Sequence, residues 1–167
     1  MEFVSPEGLR LDGRRPRELR RINCQLDVLS NADGSAIFEM GNTKVLQADG
    51  GTRCAAINAA VLALAAAGVP LRDLLASCAA GHLEGTPLLD LNYIEDSGGG
   101  PDLAVALAPR LGQLVLVQMD ARLAVETFQT VLELARDGCH AISEVMRRAL
   151  LEHTKRLAVA RGLAGST

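Results

Sequence analysis

The amino-acid sequence predicts one domain of the α+β class. Short segments with alternating apolar residues are typical of strands, and they occur on both sides of one Ala- and Leu-rich segment that is typical of a helix. A longer segment with an apolar repeat of three to four residues, typical of an amphipathic helix, follows them. With 167 residues, 49% of them hydrophobic, the chain is long enough to bury a core without metal or disulfide crosslinks.

Three strands are predicted near the start of the chain. Apolar residues alternate over residues 22–28, and Asn31-Ala-Asp33-Gly34 has the composition of a hairpin turn. Residues 36–40 and 43–47 predict two further strands, joined at Gly41-Asn42. These three short strands would form the N-terminal part of the domain, which we place at residues 1–45, with the remainder at residues 46–167.

The predicted elements of the second part begin with a helix over residues 54–67, which Gly68 and Pro70 would end. Strands are predicted at residues 74–81, 87–91, 103–108 and 114–119, with a turn at 82–86 and a glycine-rich loop at 97–101. A long helical segment runs from Val125 to about Ala160, with Gly138 as a possible break into two helices. The chain should therefore end in helices that cover the strands.

Composition excludes several classes of protein. The net charge of −3 and a pI near 5.6 argue against a general nucleic-acid coat protein, and 2% aromatic residues argue against a base-stacking platform. The four cysteines are scattered, which is typical of reduced thiols rather than a zinc site. The N-terminus has no apolar signal-peptide segment, and the longest apolar run, residues 55–67, is too short for a bilayer. We therefore expect a soluble intracellular protein.

Residues 8–21 contain six arginines, which form a strongly basic segment: Arg10, Arg14, Arg15, Arg17, Arg20 and Arg21. Taken alone, this segment predicts a solvated arm, because charge runs are usually exposed. The alternative is a contact with RNA or with an acidic neighbouring subunit.

Gly50-Gly51-Thr52-Arg53 is the first candidate site, because it precedes the predicted helix. Two glycines allow close approach of an anion, and free amides at a helix N-terminus favour a phosphate there. Thr52 adds a hydroxyl group and Arg53 a cation. On spacing alone, an ordinary turn with Thr52 as the N-cap residue is the better interpretation.

Asp90-Leu91-Asn92-Tyr93-Ile94-Glu95-Asp96 is the second candidate site. Three carboxylates within seven residues could hold a divalent cation or supply a general acid. A solvated polar turn is an equally good interpretation of the composition. Asp90 differs from the other two acids because it follows an apolar strand directly.

Together, several motifs resemble the RNase PH family, and they occur in that family's order. They are Arg10-Leu-Asp12-Gly-Arg14-Arg15, Ala32-Asp33-Gly34-Ser35-Ala36, Gly41-Asn42-Thr43-Lys44-Val45, Leu46-Gln47-Ala48-Asp49-Gly50-Gly51-Thr52 and Leu89-Asp90-Leu91-Asn92-Tyr93-Ile94-Glu95-Asp96. Two more motifs favour the exosome branch, of the catalytic type, over bacterial tRNA-processing RNase PH: Gly68-Val-Pro70-Leu-Arg72-Asp73 and Gln118-Met119-Asp120-Ala121-Arg122. The resemblance implies an RNase PH-like fold, of the ribosomal protein S5 domain 2-like type.

The resemblance also implies a phosphorolytic 3′→5′ exoribonuclease, in which inorganic phosphate attacks the terminal phosphodiester and a nucleoside diphosphate leaves. Gly50, Gly51, Thr52 and Arg53 would bind the phosphate. Asp96 would be the general acid, and Asp90 would position the site or, with Asp96, hold Mg²⁺. Arg14 and Arg15 would contact RNA.

The family pattern is interrupted after Val45. The middle stretch that separates Gly-Asn-Thr-Lys-Val from Gln-Ala-Asp-Gly-Gly in the family is missing, because Val45 runs directly into Leu46. The missing part should carry several strands, one helix and arginines that bind phosphate and RNA. The sequence therefore predicts an internally truncated domain with weakened phosphate binding.

The implied partners are the RNA 3′ end, other RNase PH-like exosome subunits in a hexameric ring and RNA-binding cap subunits, with no membrane partner. The implied location is the nucleus, including the nucleolus, and the cytoplasm of a eukaryote. Activity stays open at this point. A non-catalytic ring or scaffold subunit is the alternative to the enzyme.

Overall fold

The computed structural model describes residues 3–28, 35–41, 43–44, 51–119 and 121–162. Within these ranges the chain is an α+β fold, as predicted. The elements in chain order are β1 (Ile22–Leu26), β2 (Ala36–Met40), β3 (Thr43–Lys44), α1 (Thr52–Ala66), β4 (Ala76–Leu83), β5 (Thr86–Leu89), α2 (Tyr93–Asp96), β6 (Asp102–Ala108), β7 (Gln113–Met119) and α3 (Val125–Ala160).

A small antiparallel sheet is formed by the first three strands, in the order β1-β2-β3. Ile22 lies opposite Met40 and Leu26 opposite Ala36. Phe38 and Met40 are buried and face the core, so the observed register places the apolar side of β2 inward. The predicted turn at 31–34 and the predicted strand residues 45–47, where the family pattern is interrupted, lie outside the described residues.

The larger sheet is also antiparallel, in the order β5-β4-β6-β7. Its first hairpin is tighter than predicted, because β4 continues to Leu83 and only Glu84 and Gly85 form the turn. Both residues have positive φ, 50° and 78°, which is the two-residue hairpin turn that matches the twist of the strands. This hairpin holds β5 in place, and the candidate acids follow directly after β5.

Both long helices pack on the strands and close one continuous apolar core. The core contains buried residues from β2, α1, β4, β6 and α3. Asn58, in the middle of α1, is fully buried, and its side chain bonds both backbone groups of Ser77: Nδ2 donates to the carbonyl oxygen (2.9 Å) and Oδ1 accepts from the amide (2.8 Å). The side-chain amide that interrupts the apolar run thus docks α1 onto β4.

A single helix of 36 residues ends the described part of the chain, so the predicted break at Gly138 is wrong. Gly138 is buried, and a Cβ there would lie 2.7 Å from both Cys78 Sγ and Leu89 Cδ1. The glycine therefore serves close packing of α3 on the sheet rather than termination of the helix. None of the described helices is long and apolar enough to cross a membrane.

Gly138→Ala is expected to destabilise the fold despite the better helix propensity of alanine. Crowding in a packed core costs about 1–3 kcal/mol, whereas the propensity gain is about 1 kcal/mol, so the net loss is about 1 kcal/mol. Urea unfolding followed by circular dichroism measures the change. His140→Ala, at an exposed position of the same helix, is the control and should be neutral or slightly stabilising. A Gly138→Ala variant more stable than the parent would contradict the packing argument.

Candidate active site

The N-terminal arginine segment folds against the end of β5 rather than forming a solvated arm. Arg10 and Arg20 are 3% and 7% exposed. Arg10 Nη1 donates to the carbonyl oxygen of Leu89, and the amide of Leu89 donates to the carbonyl oxygen of Pro16 (2.8 Å). Buried guanidinium groups need acceptors on every side, and the segment after β5 supplies them.

Asp90 lies at the centre of these contacts. Its carboxylate is fully buried and accepts from Arg20 three times: from the amide (2.9 Å), from Nε (3.0 Å) and from Nη2 (2.8 Å). Its carbonyl oxygen accepts from Arg10 Nη2 and Arg14 Nη1, at 3.0 and 3.1 Å. Its φ of 55° is unusual for a residue with a side chain, and these contacts hold the backbone in that conformation.

Glu95 forms a second buried ion pair beside the first. It is fully buried, and Arg10 donates Nε to Oε1 (2.8 Å) and Nη2 to Oε2. The same carboxylate accepts from the amide of Asn92, while the Asn92 side chain accepts from the amides of Ile94 and Glu95, so the two residues form a capping box. This one-turn helix, α2, was not predicted, although the Asn-x-x-Glu spacing is its sequence signal.

Asp96 follows Glu95 but, unlike the buried Glu95, it is exposed. Glu95 anchors α2 in the protein, whereas Asp96 is exposed and lines a cavity of about 150 Å³. The same cavity is lined by three residues of the candidate phosphate turn, Gly51, Thr52 and Arg53. The two candidate motifs, 37 or more residues apart in sequence, therefore meet at one small pocket.

Asp102, the first residue of β6, lines this cavity as well, and the sequence analysis did not single it out. It lies two residues from Ala104, which also lines the cavity, so the two share a face of the strand. A lone acid at the start of an otherwise apolar strand was the available signal. The carboxylates that surround the cavity are thus those of Asp96 and Asp102.

The turn before α1 has Gly51 as its N-cap residue, not Thr52 as the simplest interpretation had it. Gly51 has φ +74°, and a Cβ there would lie 3.0 Å from Arg20 Nη2 and 3.9 Å from Asp90 Oδ1. A glycine is needed both for the conformation and for the close approach of the buried ion pair. Gly50, the other predicted glycine of the turn, lies outside the described residues.

Cys54 comes next to this turn, where a helix N-terminus could lower a thiol pKa. Burial instead raises the pKa of Cys54 to about 11. The thiol is therefore protonated at neutral pH and serves as a small core residue, packed with Ala79 and Ala104.

The two arginines predicted to contact RNA lie in different surroundings. The side chain of Arg14 is 10% exposed and bonds Asp12 Oδ2 (2.8 Å) and the carbonyl oxygen of Glu18 (2.9 Å). Burial alone would raise the pKa of Asp12, but the hydrogen bonds and the charge of Arg14 outweigh it and lower that pKa. Arg15 is exposed. These contacts favour an internal role for Arg14 and leave Arg15 accessible.

Comparison with known proteins identifies the family. Two family models match, "3' exoribonuclease family, domain 1" at residues 18–48 and "3' exoribonuclease family, domain 2" at residues 73–138. The chain is 43% identical over 235 residues to an exosome complex component RRP41 homolog of Arabidopsis thaliana, with 94% of this chain and 98% of that protein covered. It is 31% identical to exosome complex component RRP41 of Homo sapiens, with 97% and 98% covered.

A solved structure supports the fold. The crystal structure of rice (Oryza sativa) Rrp46 matches with a TM-score of 0.78 at 22% identity, covering 85% of this chain and 100% of that chain. The alignment with the Arabidopsis protein spans 235 residues whereas this chain has 167, so that relative carries segments with no counterpart here. The predicted RNase PH-like fold is confirmed, and the chain belongs to the 3′ exoribonuclease (RNase PH) family.

Proposed function

We propose that this chain is an exosome subunit that degrades RNA from the 3′ end with inorganic phosphate as co-substrate. The observation that carries the proposal is the single cavity lined by Gly51, Thr52 and Arg53 on one side and by Asp96 on the other. Phosphorolysis needs at least an anion site and an acid close to it, because phosphoryl transfer depends on positioning and on charge neutralisation. The RRP41 relatives are exosome components, which agrees with this assignment.

The phosphate ion would bind at the start of α1. Backbone amides of a helix's first turn point along the axis toward the ligand, and the helix dipole favours negative charge there. Arg53 is exposed at the cavity and adds a guanidinium group able to form two parallel hydrogen bonds. Gly50 and Gly51 complete the predicted phosphate turn.

A phosphate oxygen would attack the phosphorus of the terminal RNA linkage, and the bond from phosphorus to the 3′ oxygen of the preceding nucleotide would break. The protonated carboxyl group of Asp96 would give its proton to that 3′ oxygen. The products are a nucleoside diphosphate and RNA one nucleotide shorter. Asp90 does not face the reaction in this scheme: its contacts with Arg20 make it a positioning residue.

Mg²⁺ would be held in this cavity by Asp102, because Asp96 has to carry the proton, rather than by the predicted pair Asp90 and Asp96. Mg²⁺ is held by one or two carboxylates together with substrate phosphates. Asp96 and Asp102 both line the cavity, whereas both oxygens of Asp90 accept from Arg20. Within the described ranges no group of three or more His, Cys, Asp or Glu side chains could hold a metal ion, so substrate phosphates would complete the shell. The ion would neutralise charge on the transferring phosphoryl group.

Other exosome subunits are the proposed protein partners: RNase PH-like subunits in a hexameric ring and RNA-binding cap subunits. The RNA 3′ end is the proposed nucleic-acid partner, with Arg15 as the accessible arginine of the pair predicted to contact RNA. The proposed location is the nucleus, including the nucleolus, and the cytoplasm. No membrane partner is proposed.

A second function is a non-catalytic ring or scaffold subunit. It is favoured by the alignment length, because the Arabidopsis relative carries segments that this chain lacks. By the family resemblance, those segments hold further phosphate-binding arginines. Each charge-assisted hydrogen bond lost costs about 1.5–3 kcal/mol, so phosphate binding would fall by about two to four decades if two were lost.

A phosphate-dependence assay separates the two functions. The purified chain is given single-stranded oligoadenylate and Mg²⁺, with and without inorganic phosphate, alone and mixed with RNase PH-like exosome subunits. The enzyme should release ADP only when phosphate is present, and Arg53→Ala should raise the KM for phosphate by about tenfold or more. Arg156→Ala, an exposed arginine near the end of α3, is the matched control. Absence of ADP in the presence of phosphate, both for the chain alone and for the mixture with other subunits, supports the scaffold. Release of AMP would contradict phosphorolysis.

A further inference from the structure

A second cavity with a mainly aliphatic lining lies away from the candidate active site, and its lining shares no residue with that of the candidate site. It is a groove of about 470 Å³ between the segment that follows α1, the turn after β6 and the middle of α3. We call it the arginine groove, since Arg72, Arg110 and Arg147 line it, one from each of these three parts.

The arginine groove has a net positive charge because three arginines and one acid, Asp73, line it. Asp73 accepts from the backbone amides of Leu74 (2.8 Å), Arg110 (2.8 Å) and Leu111 (3.1 Å). Burial alone would raise the pKa of Asp73, but these hydrogen bonds and the charge of Arg110 outweigh it and lower that pKa, so the group is an anion above acid pH. The groove is therefore lined by three arginines and by one carboxylate that already has three donors.

Arg147 has donor capacity to spare. Its side chain is 46% exposed, and its contact with Asp73 is a 4.0 Å ion pair, too long for a hydrogen bond. Arg110 uses one nitrogen on the carbonyl oxygen of Arg72 (2.8 Å), which draws these two residues together. Guanidinium groups with free N–H donors around a concavity are suited to bind carboxylates in pairs.

The remaining lining is aliphatic. Val69 and Leu71 line the groove and are 44% and 38% exposed, and Leu111, whose amide bonds Asp73, is 48% exposed. Leu74 and Leu150 contribute further aliphatic surface. No aromatic side chain lines the groove, so a nucleic-acid base would find no ring to stack on. Aliphatic pockets beside arginines are instead the composition of a protein-binding surface.

We propose that the arginine groove binds an acidic peptide segment of a partner protein. Aliphatic side chains of the segment would fill the space beside Val69 and Leu71, and its Asp or Glu carboxylates would pair with Arg147 and Arg72. Charge complementarity selects the segment, and burial of the aliphatic residues supplies affinity. This inference does not depend on whether the chain is catalytically active.

The test is selection of short random peptides displayed against the full 167-residue chain, followed by fluorescence anisotropy of the labelled winners. We expect peptides in which Asp or Glu is interspersed with Leu, Ile or Val. Arg147→Glu should weaken their binding by about tenfold to a hundredfold. Arg148→Glu is the matched control, because it makes the same charge change at the next, exposed residue of α3, which does not line the groove. It should change the affinity by less than about threefold.

Leu71→Ser tests the apolar half of the groove and lies outside the helices, so it also serves if Arg147→Glu fails to fold. Leu151→Ser, exposed on α3 outside the lining, is its control. A peptide with Lys in place of one acid should bind Arg147→Glu better than the parent chain. Equal losses in Arg147→Glu and Arg148→Glu, or selection of peptides without acids, would overturn the proposal. So would an Arg147-dependent affinity for labelled oligoadenylate in the absence of any selected acidic peptide.

Discussion

Asp96→Asn is expected to lower the rate of phosphate-dependent ADP release by about 10²–10⁴-fold, because the amide cannot give a proton to the leaving 3′ oxygen. Asp96 is exposed at the cavity, so the thermal unfolding midpoint should stay close to that of the parent chain. The measurement is the initial rate of ADP release from oligoadenylate at saturating phosphate. A loss of rate without a loss of stability would assign chemistry to this side chain.

The control for this experiment is Asp137→Asn. Asp137 is also an exposed acid, 67% exposed at its side chain, and it pairs with Arg17 on the surface in the first half of α3. Its removal should leave the rate within about twofold of the parent. An Asp96→Asn variant that keeps the parent rate of ADP release would contradict the general-acid role. An equal loss of rate in Asp96→Asn and Asp137→Asn would indicate a general effect of charge.

Arg20→Ala is expected to lower the free energy of unfolding by about 3–5 kcal/mol, because it leaves the buried carboxylate of Asp90 with only the longer ion pair to Arg14, at 3.9 Å. Arg20 is 7% exposed and Asp90 is fully buried, so water cannot replace the lost donors at little cost. Urea denaturation measures the free energy of unfolding, and the m-value should be unchanged. Loss of the pair should also lower activity, since Gly51 of the phosphate turn packs against both residues.

Two further variants serve as controls for Arg20→Ala. Arg17→Ala breaks the exposed pair with Asp137, whose side chains are 72% and 67% exposed, and it should cost less than about 1 kcal/mol. The double variant Arg20→Met/Asp90→Asn removes both buried charges and keeps a residue that tolerates the positive φ at position 90, so it should recover part of the stability lost in Arg20→Ala. A cost for Arg20→Ala as small as that for Arg17→Ala would show that the buried pair does not hold this part of the fold.

The regular elements could be predicted from sequence because each has a strong local signal. The strand Ala36–Met40 was predicted with its observed ends, and the predicted helix 54–67 is shifted from α1 by at most two residues. Gly138 misled the prediction for a physical reason: its lack of a side chain serves contact with Cys78 and Leu89, which lie far away in sequence. A propensity scale has no access to such a contact.

The candidate site shows the same division. Gly51, Thr52, Arg53 and Asp96 were singled out from local composition and from the family resemblance, and the structure brings these residues to one cavity. The burial of Arg10 and Arg20 could not be anticipated, because a run of six arginines has the local signature of exposed charge. Asp102 was missed although its place at the start of an apolar strand was a signal. Burial of a charge depends on partners such as Asp90 and Glu95, whose distance in sequence is 70 residues or more.

The close approach of Gly51 to the Arg20–Asp90 pair links the proposed phosphate turn to the stability of the fold. A ligand that occupies the turn binds only the folded chain, so phosphate should raise the thermal unfolding midpoint, and the rise should grow with the logarithm of the phosphate concentration above its Kd. The dependence also runs in the other direction. A side chain added at Gly51 of the anion turn would disturb the ion pair that supports the turn. A chain without phosphorolytic activity would still lose stability if only one of Gly51, Arg20 and Asp90 were changed, so the presence of these three residues is not by itself evidence of enzymatic activity.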